Sequence, residues 1–293
     1  MNQEINKYQN NSENQDIALV IASYQPNEKA SELLRIAITS ITKFTKVKYS
    51  LWVIDVGSPS HPKRVNPNEF PNVNFIYIKK TPIRYGKLNT IKKILTLNFS
   101  KKELRDGSYI NAWSLQYATE YFGNINYKPK YFMSLQMDIM ITKSGWMKDC
   151  LLSEFSSNKV IAVGVRKQKC LDKSQYILHS LGCLWKYDLF MKLNLDFWSK
   201  IPNYDVGELA IIKSLNKGYE IKHLLCTYND VIDFDYEDVY EDFIYDRVFN
   251  RSNEIIFLHL GRGINKSNSK NGVLKNKLDV NDWKEIYNHY SKN

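Results

Sequence analysis

Short, continuously apolar runs recur along the chain and alternate with longer amphipathic stretches. A continuous apolar run is typical of a strand that is buried on both faces, whereas apolar positions three and four residues apart predict one buried face of a helix. By these patterns we predict strands at residues 17–23, 50–56, 72–78, 131–137, 160–165, 218–224 and 255–260. We predict helices at residues 28–43, 86–97, 108–122, 145–155, 205–216, 236–249 and 280–291.

Strands that alternate with helices predict an α/β fold, a mostly parallel central sheet with helices on both faces. The chain has 293 residues and no internal repeat, which fits a single main domain. We place that domain at residues 16–265. The Asn-rich and Gln-rich residues 1–15 are predicted to be a disordered tail, and residues 266–293 a helical tail.

The charge pattern favours an anionic partner. The net charge is +10, although residues 230–246 hold eight acidic residues and no Lys or Arg. A basic body suits a nucleotide, a phosphorylated lipid or an acidic membrane face, and an ordinary solvated basic surface explains it equally well. No helix-turn-helix, zinc-finger or RNP-like pattern is present, so we predict no nucleic-acid partner.

The cysteines and the apolar runs indicate the compartment of the cell in which the protein is found. The four cysteines lie far apart without a C-x-x-C pair, which is typical of reduced thiols in a cytoplasmic protein. No apolar run approaches the roughly 18 residues that span a bilayer. We predict a cytoplasmic protein, with membrane contact limited to the periphery of the inner face.

Polar residues follow three of the predicted strands. Ser23 and Tyr24, Asp55, and Asp138 stand at strand ends, where α/β sheets bind their ligands. We therefore expect one shared site. Carboxylate oxygens suit Mg²⁺ and Mn²⁺, so Asp138 is a candidate metal ligand; it could equally cap the next turn. Asp55 could accept the imide N–H of uracil or bridge ribose hydroxyls, or merely initiate the turn at Gly57.

One segment resembles the metal-binding motif of GT-A glycosyltransferases, particularly family 2-like ones. Leu135-Gln136-Met137-Asp138 precedes Gly145-Trp146. The family pattern is an apolar strand, D-x-D, and then Gly-Trp at a helix start. Asp138 matches the second Asp of D-x-D, and Gln136 stands in place of the first. An amide can hydrogen-bond a ribose or phosphate, but it adds no charge.

Other segments follow the order of the family. Residues 18–26 resemble its opening strand and turn, residues 51–58 its second strand, and residues 107–118 its Gly-rich entry to a helix of small residues. The resemblance covers roughly residues 17–224. It implies a Rossmann-like GT-A fold, with a nucleotide-binding half at about 16–140 and an acceptor half at about 141–265. The nucleotide-binding residues it implies are Ser23, Tyr24, Asp55, Ser108 and Gln136.

The resemblance also implies a cation and a base. Several GT-A enzymes have a late His as a metal ligand, and His259 in FLHLGRG matches it; the alternative is an ordinary buried His. Mn²⁺ or Mg²⁺ would then bind Asp138 and His259, with Arg262 or Lys266 near the phosphates. Asp205 and Glu208 are candidates for the catalytic base of an inverting transfer. The alternative is a capping box at the start of a helix.

These observations predict a hexosyltransferase-type enzyme of polysaccharide assembly. It would move a sugar from a nucleotide-sugar donor, most simply a UDP-sugar, to a saccharide or lipid-linked acceptor. Two alternatives stay open: a nucleotidyltransferase that forms an activated sugar, and an inactive sugar-binding or nucleotide-binding GT-A-like protein. Arg84 to Lys87, His179, Trp185 and Trp198 are weaker candidates for the site. The acidic segment 230–246 could be a second cation site or one face of an amphipathic helix.

Overall fold

The computed structural model describes residues 5–8, 15–79, 107–167, 176–199, 204–227, 232–240, 243, 245–261 and 279–292. The helix predicted at residues 86–97 lies outside this part of the chain, as do residues 84–87, Arg262, Gly263 and Lys266.

The strands and helices match most of the predicted elements. The strands are β1 (Ile5–Tyr8), β2 (Ile17–Ser23), β3 (Ser50–Val56), β4 (Val73–Ile78), β5 (Tyr131–Gln136), β6 (Ile139–Ile141), β7 (Val160–Lys167), β8 (Ile177–Lys186), β9 (Glu220–Leu224), β10 (Asp246–Phe249) and β11 (Ile255–His259). The α-helices are α1 (Glu28–Phe44), α2 (Gly107–Asn124), α3 (Tyr187–Lys192), α4 (Glu208–Asn216) and α5 (Val280–Lys292). Residues predicted to be helical at 145–155 form a π-helix (Trp146–Leu151) and a short 3-10 turn.

In the described part of the chain, eight strands form the central sheet, in the order β1-β4-β3-β2-β5-β8-β7-β9. Strands β4, β3, β2 and β5 are parallel neighbours. Strand β8, which the apolar pattern did not reveal, runs antiparallel between β5 and β7. One face of the sheet is covered by α1 and the other by α2. The predicted α/β class, a mostly parallel sheet covered on both faces, is confirmed.

The chain reverses its order of travel along the sheet at β2. Strands β3 and β4 lie on one side of β2, whereas β5 lies on the other. Helix α1 follows β2 after a short loop, and its N-cap is Asn27, whose side chain accepts a hydrogen bond from the backbone N–H of Ala30. Such a reversal opens a crevice beyond the carboxyl ends of the two central strands, and ligands of α/β sheets bind there.

A second, three-stranded antiparallel sheet has the order β10-β11-β6. The predicted helix at residues 236–249 is wrong, because residues 246–249 are the strand β10 and the described residues 232–240 hold no helix. The amphipathic spacing of the segment suggested a helix. Its Tyr, Phe, Val and Ile residues also suit strands, and pairing with β11 decides between the two.

Both ends of the chain contribute to the fold. Residues 5–8, expected to be disordered, pair with β4 as an edge strand; backbone pairing at an edge requires no apolar side-chain pattern. Helix α5, expected in a tail, buries Trp283 and Ile286 completely, and they pack in one core cluster with Leu33 of α1. Among the described helices, none has the length and apolar character needed to cross a membrane.

Candidate active site

The second sheet brings four polar side chains together beside the crevice. Strand β6 starts directly after Asp138, and its Ile139 pairs with His259 of β11. His259 in turn lies opposite Asp246 of β10. Gln136, the last residue of β5, completes the group. We call Gln136, Asp138, Asp246 and His259 the cation corner.

The imidazole of His259 is the centre of this corner. Its Nε2 lies 3.2 Å from Oε1 of Gln136 and 3.5 Å from Oδ1 of Asp138. Its Nδ1 lies 2.8 Å from Oδ2 of Asp246. The backbone N–H of Gly261 donates to Oδ2 of Asp138 over 3.1 Å. The structure therefore brings the two predicted metal ligands together and adds Asp246, which the sequence did not single out.

The charges of the corner are strongly coupled. Burial opposes a charge on His259, but the carboxylates of Asp138 and Asp246 outweigh burial and raise its pKa to about 10. Burial likewise opposes ionisation of Asp138, and His259 nevertheless holds the pKa of that carboxyl below its ordinary value. The two acids therefore favour a positive charge at the imidazole, and a divalent cation at Nε2 would replace that proton.

The donor set fits a divalent cation of the Mn²⁺ or Mg²⁺ type. Asp138 and Gln136 present oxygen atoms and His259 presents a nitrogen atom around one point. Within the described ranges, no group of three or more His, Cys, Asp or Glu side chains forms a metal-holding cluster.

A second ionic group contains both predicted catalytic acids. Nζ of Lys167 lies 3.0 Å from Oδ2 of Asp205 and 2.6 Å from Oε1 of Glu208. Burial opposes the charge on Lys167, but these carboxylates outweigh it and raise its pKa. The side chain of Glu208 is 8% exposed and that of Asp205 is 38% exposed. Asp205 is therefore the acid that an arriving molecule can reach.

The capping-box interpretation of these acids is wrong. Helix α4 starts at Glu208, and its N-cap is Gly207 with a left-handed φ of 74° and no side-chain cap. Asp205 accepts a hydrogen bond from its neighbour Val206 instead. Neither carboxylate caps the backbone N–H groups at the start of the helix, and both contact Lys167 instead.

His179 on β8 lies between the two groups. Its ring centroid is 6.3 Å from that of His259. Burial, and after it the positive charges of His259 and Lys167, lower the pKa of His179 to about 3. His179 is therefore a neutral imidazole between the cation corner and the acids. Trp185 is instead fully buried in the core against Phe190 and Phe197, so the acceptor-pocket interpretation of that residue is wrong.

The polar group at the end of β3 differs from the cation corner, because its carboxylate is buried and paired with other side chains. Asp55 is completely buried. Its Oδ2 accepts hydrogen bonds from Oγ of Ser23 over 3.1 Å and from Nε2 of Gln25 over 2.6 Å. Its Oδ1 lies 2.9 Å from Nη2 of Arg64. We call Ser23, Gln25, Asp55 and Arg64 the anchor group.

The other predicted nucleotide-binding residues are less informative. Tyr24 follows β2 and is 36% exposed, and its backbone N–H donates to Sδ of Met137. Ser108 is on α2, but its side chain lies outside the described part of the structure. Direct contact of these residues with a nucleotide stays a prediction.

Similarity to known proteins is found in the fold. No family model and no curated protein sequence matches it. Its fold is similar to the catalytic domain of Drosophila β1,4-galactosyltransferase 7 in complex with xylobiose, at 12% identity over 91% of this chain and 83% of that one, with a TM-score of 0.42. It is also similar to a mutant of that Drosophila enzyme in complex with manganese, UDP-Gal and xylobiose, at 11% identity over 71% of this chain, with a TM-score of 0.39.

A third similar structure is TarS 1–349 of S. aureus, at 10% identity over 68% of this chain, with a TM-score of 0.42. The chain spans only 64% of the mutant Drosophila protein and 55% of the TarS structure. The Drosophila enzyme is a glycosyltransferase by name. These likenesses are too distant to bear on function, which has to be inferred from the site.

Four residues of the site escaped the sequence patterns. Gln25 and Arg64 lie in loops, and nothing in their spacing indicates that they converge on Asp55. Lys167 is the last residue of β7 and stands two residues beyond the strand predicted at 160–165, so the predicted strand end did not mark it. Asp246 was assigned to a helix, which concealed that it lies opposite His259.

Proposed function

We propose that this protein is a glycosyltransferase that uses a nucleoside diphosphate sugar, most simply a UDP-sugar, with Mn²⁺ or Mg²⁺. The acceptor would be a saccharide or a lipid-linked saccharide. The observation that carries the proposal is the convergence of Asp138, His259 and Gln136 beside the crevice at the reversal of the sheet. A separate pair of acids, Asp205 and Glu208, contacts Lys167, and both Lys167 and Asp205 are close enough to His179 to act on its charge.

The cation corner would hold the metal and the diphosphate. Asp138 and His259 would be the ligands, and Gln136 would contribute its amide oxygen. A bound divalent cation stabilises the negative charge that develops on a departing diphosphate. The protein's part is to keep these side chains preorganised, which the backbone N–H of Gly261 does for Asp138.

The anchor group supports a nucleoside site at the ends of β2 and β3. Asp55 holds the guanidinium of Arg64, which also stacks on the ring of Tyr77 at 4.1 Å. The exposed ring of Tyr24 stands at the end of β2. In this proposal Ser23 and Asp55 shape the pocket from within, and a nucleoside would meet Tyr24 and Arg64.

The acid pair supports activation of an acceptor hydroxyl. Asp205 is the more exposed acid, so it would accept the hydroxyl proton in an inverting transfer. Glu208 is buried against Lys167 and would hold the lysine in place. The neutral imidazole of His179 could donate or accept a hydrogen bond to a sugar hydroxyl between the two groups.

The charge of the chain bears on the acceptor. The net charge of +10 supports an anionic acceptor such as a lipid-linked diphosphate saccharide, which peripheral contact with an anionic membrane would bring within reach.

A donor panel tests the proposal. The purified protein is mixed with Mn²⁺ and a set of UDP-, GDP-, CDP- and dTDP-sugars, and release of the nucleotide is measured with and without simple saccharide acceptors. We expect one donor class to be turned over. Chelation of the metal and the variant Asp138→Asn should both reduce this turnover by about 100-fold or more, whereas the exposed Asp188→Asn on α3 should not.

Two results would contradict the proposal in different ways. Nucleotide binding without turnover of any donor would favour a binding protein with a GT-A-like site. Release of pyrophosphate from a sugar phosphate and a nucleoside triphosphate would favour a nucleotidyltransferase.

A further inference from the structure

The cation corner carries an acidic residue at an unexpected place. The motif that residues 135–138 resemble has an acid at each of two positions, but this chain has the neutral Gln136 at the first of them. The corner nevertheless contains two carboxylates, those of Asp138 and Asp246. The carboxylate of Asp138 lies near Nε2 of the His259 imidazole, and the carboxylate of Asp246 lies near Nδ1 of the same ring.

We infer that Asp246 is a positioning residue for the metal ligand His259, and that it supplies through the imidazole the negative charge that Gln136 lacks. This inference rests on the proposed function, because it assigns a role in holding the cation of that same site.

The pairing register of the second sheet places Asp246 next to His259. Asp246 and His259 are directly opposite each other on β10 and β11, so their side chains share one face of the sheet. The contact of 2.8 Å between Oδ2 of Asp246 and Nδ1 of His259 directs Nε2 toward Asp138 and Gln136. A neutral imidazole that donates from Nδ1 leaves the lone pair of Nε2 for a metal.

The side chains of Asp246 and His259 leave no room for a Cβ at Gly261. Gly261 has a left-handed φ of 53°, and a Cβ there would lie 2.9 Å from Cε1 and 3.1 Å from Nδ1 of His259. That Cβ would also lie 3.4 Å from Oδ2 of Asp246. The same residue donates its backbone N–H to Asp138. One turn thus fixes the orientation of both metal ligands.

Asp246 is placed to act through His259 and not on the cation itself. Its carboxylate is on the Nδ1 side of the ring, whereas Asp138 and Gln136 are on the Nε2 side. A carboxylate behind a metal-bound imidazole fixes the tautomer and makes the nitrogen a stronger ligand. Its negative charge also compensates part of the charge of the metal.

Mn²⁺ binding, followed by electron paramagnetic resonance with Mn²⁺ alone, tests the inference on the whole chain. We expect Asp246→Asn, which keeps the shape but removes the charge, to weaken Mn²⁺ binding by about 10- to 100-fold. Adding Gln136→Asp to that variant should recover about tenfold or more, because it restores the missing charge on the other side of the imidazole. Asp235→Asn, an exposed acid of the same acidic segment, should bind as the parent does.

A merely structural role for Asp246 makes a different prediction. The variant Asp246→Asn would then melt at a lower temperature, and Gln136→Asp would not restore Mn²⁺ binding. The inference is overturned if Asp246→Asn binds Mn²⁺ within about threefold of the parent, or if the double variant binds no more tightly than the single one. In either case the parent still binds Mn²⁺ and the proposed function stands. A parent protein that binds no Mn²⁺ contradicts the cation in the proposed function itself, and the role of Asp246 with it.

Discussion

Two carboxylates stand at strand ends of the same sheet, and their surroundings are opposite. Asp55 in the anchor group has no exposed surface, and three side chains of the protein donate hydrogen bonds to it. Asp138 in the cation corner keeps one fifth of its side chain exposed, and it faces a histidine that can also bind a metal. Asp55 is the penultimate residue of the apolar strand β3, and Asp138 follows the apolar strand β5.

The difference lies in what covers each strand end. Residues 57–72 fold back over β3 and bring Arg64 onto Asp55, so that carboxylate belongs to the folded framework. Asp138 is bounded by the turn at Gly261, which uses one carboxylate oxygen and leaves the other toward His259. We therefore expect changes at Asp55 to act mainly on stability, and changes at Asp138 mainly on chemistry.

The largest effect on stability should come from Asp55→Ala. It leaves Nε2 of Gln25 and the guanidinium of Arg64 without their buried acceptor, which costs about 3–5 kcal/mol of unfolding free energy. Urea unfolding followed by circular dichroism measures the loss. Asp188→Asn, an exposed change, is the control. A loss smaller than about 1 kcal/mol would mean that Asp55 is free to bind a ligand directly.

The second prediction concerns Asp138→Asn. Loss of the charged metal ligand should reduce turnover by about 100-fold, equivalent to roughly 3 kcal/mol in the activation barrier. The unfolding free energy should fall by only about 1 kcal/mol, because the amide can still accept a hydrogen bond from Gly261. Steady-state kinetics and urea unfolding of one preparation give both numbers. A loss of stability as large as that of Asp55→Ala would remove the contrast between the two sites.

Much of the sheet could be predicted because its strands are continuous apolar runs. Strand β3 was predicted with its observed bounds, and α1 within one residue at its end. Strand β8 was missed because it mixes His179 and Ser180 with apolar residues, and its antiparallel direction depends on tertiary pairing. The edge strand β1 has no apolar pattern, since it joins the sheet through its backbone.

Part of the site was predictable from a strand end and part from the resemblance to GT-A enzymes. Asp138 was proposed from its strand end and His259 from the resemblance, and the structure brings the two side chains together. Asp246 could not be recognised, because the aromatic and acidic residues around it fit a helix as well as a strand. The role of Asp246 depends on which residue it faces on the neighbouring strand, and no local sequence pattern contains that register.

The same limit applies to the anchor group. The distance of nine residues between Asp55 and Arg64 does not show that a loop returns the guanidinium to the carboxylate. A buried acid and an exposed one therefore look alike in the sequence. The number of protein hydrogen bonds that each accepts distinguishes them, and it is a property of the packed chain.

A smaller effect is expected from Gly261→Ala. An alanine at this left-handed φ costs about 1–2 kcal/mol, and its Cβ would press on the imidazole of His259. Gly218→Ala is a matched control, since Gly218 has a φ of 80° and nothing within 4 Å of the added Cβ. Gly261→Ala should lose at least as much stability as Gly218→Ala in thermal unfolding, because only its Cβ meets another side chain, and only Gly261→Ala should weaken Mn²⁺ binding. Equal Mn²⁺ binding by both would show that the turn does not constrain the metal ligand.

The smallest effect should come from Ser23→Ala in the anchor group. It removes one of the two donors to Oδ2 of Asp55, while Gln25 and Arg64 keep their contacts. We expect a loss of about 1 kcal/mol in urea unfolding, well below that of Asp55→Ala, because the carboxylate remains paired. Mn²⁺ binding should be unchanged, since Ser23 does not belong to the cation corner. A nucleotide affinity that falls by tenfold or more while stability is unchanged would show instead that the Ser23 hydroxyl contacts the ligand, and the anchor group would then be part of the binding surface.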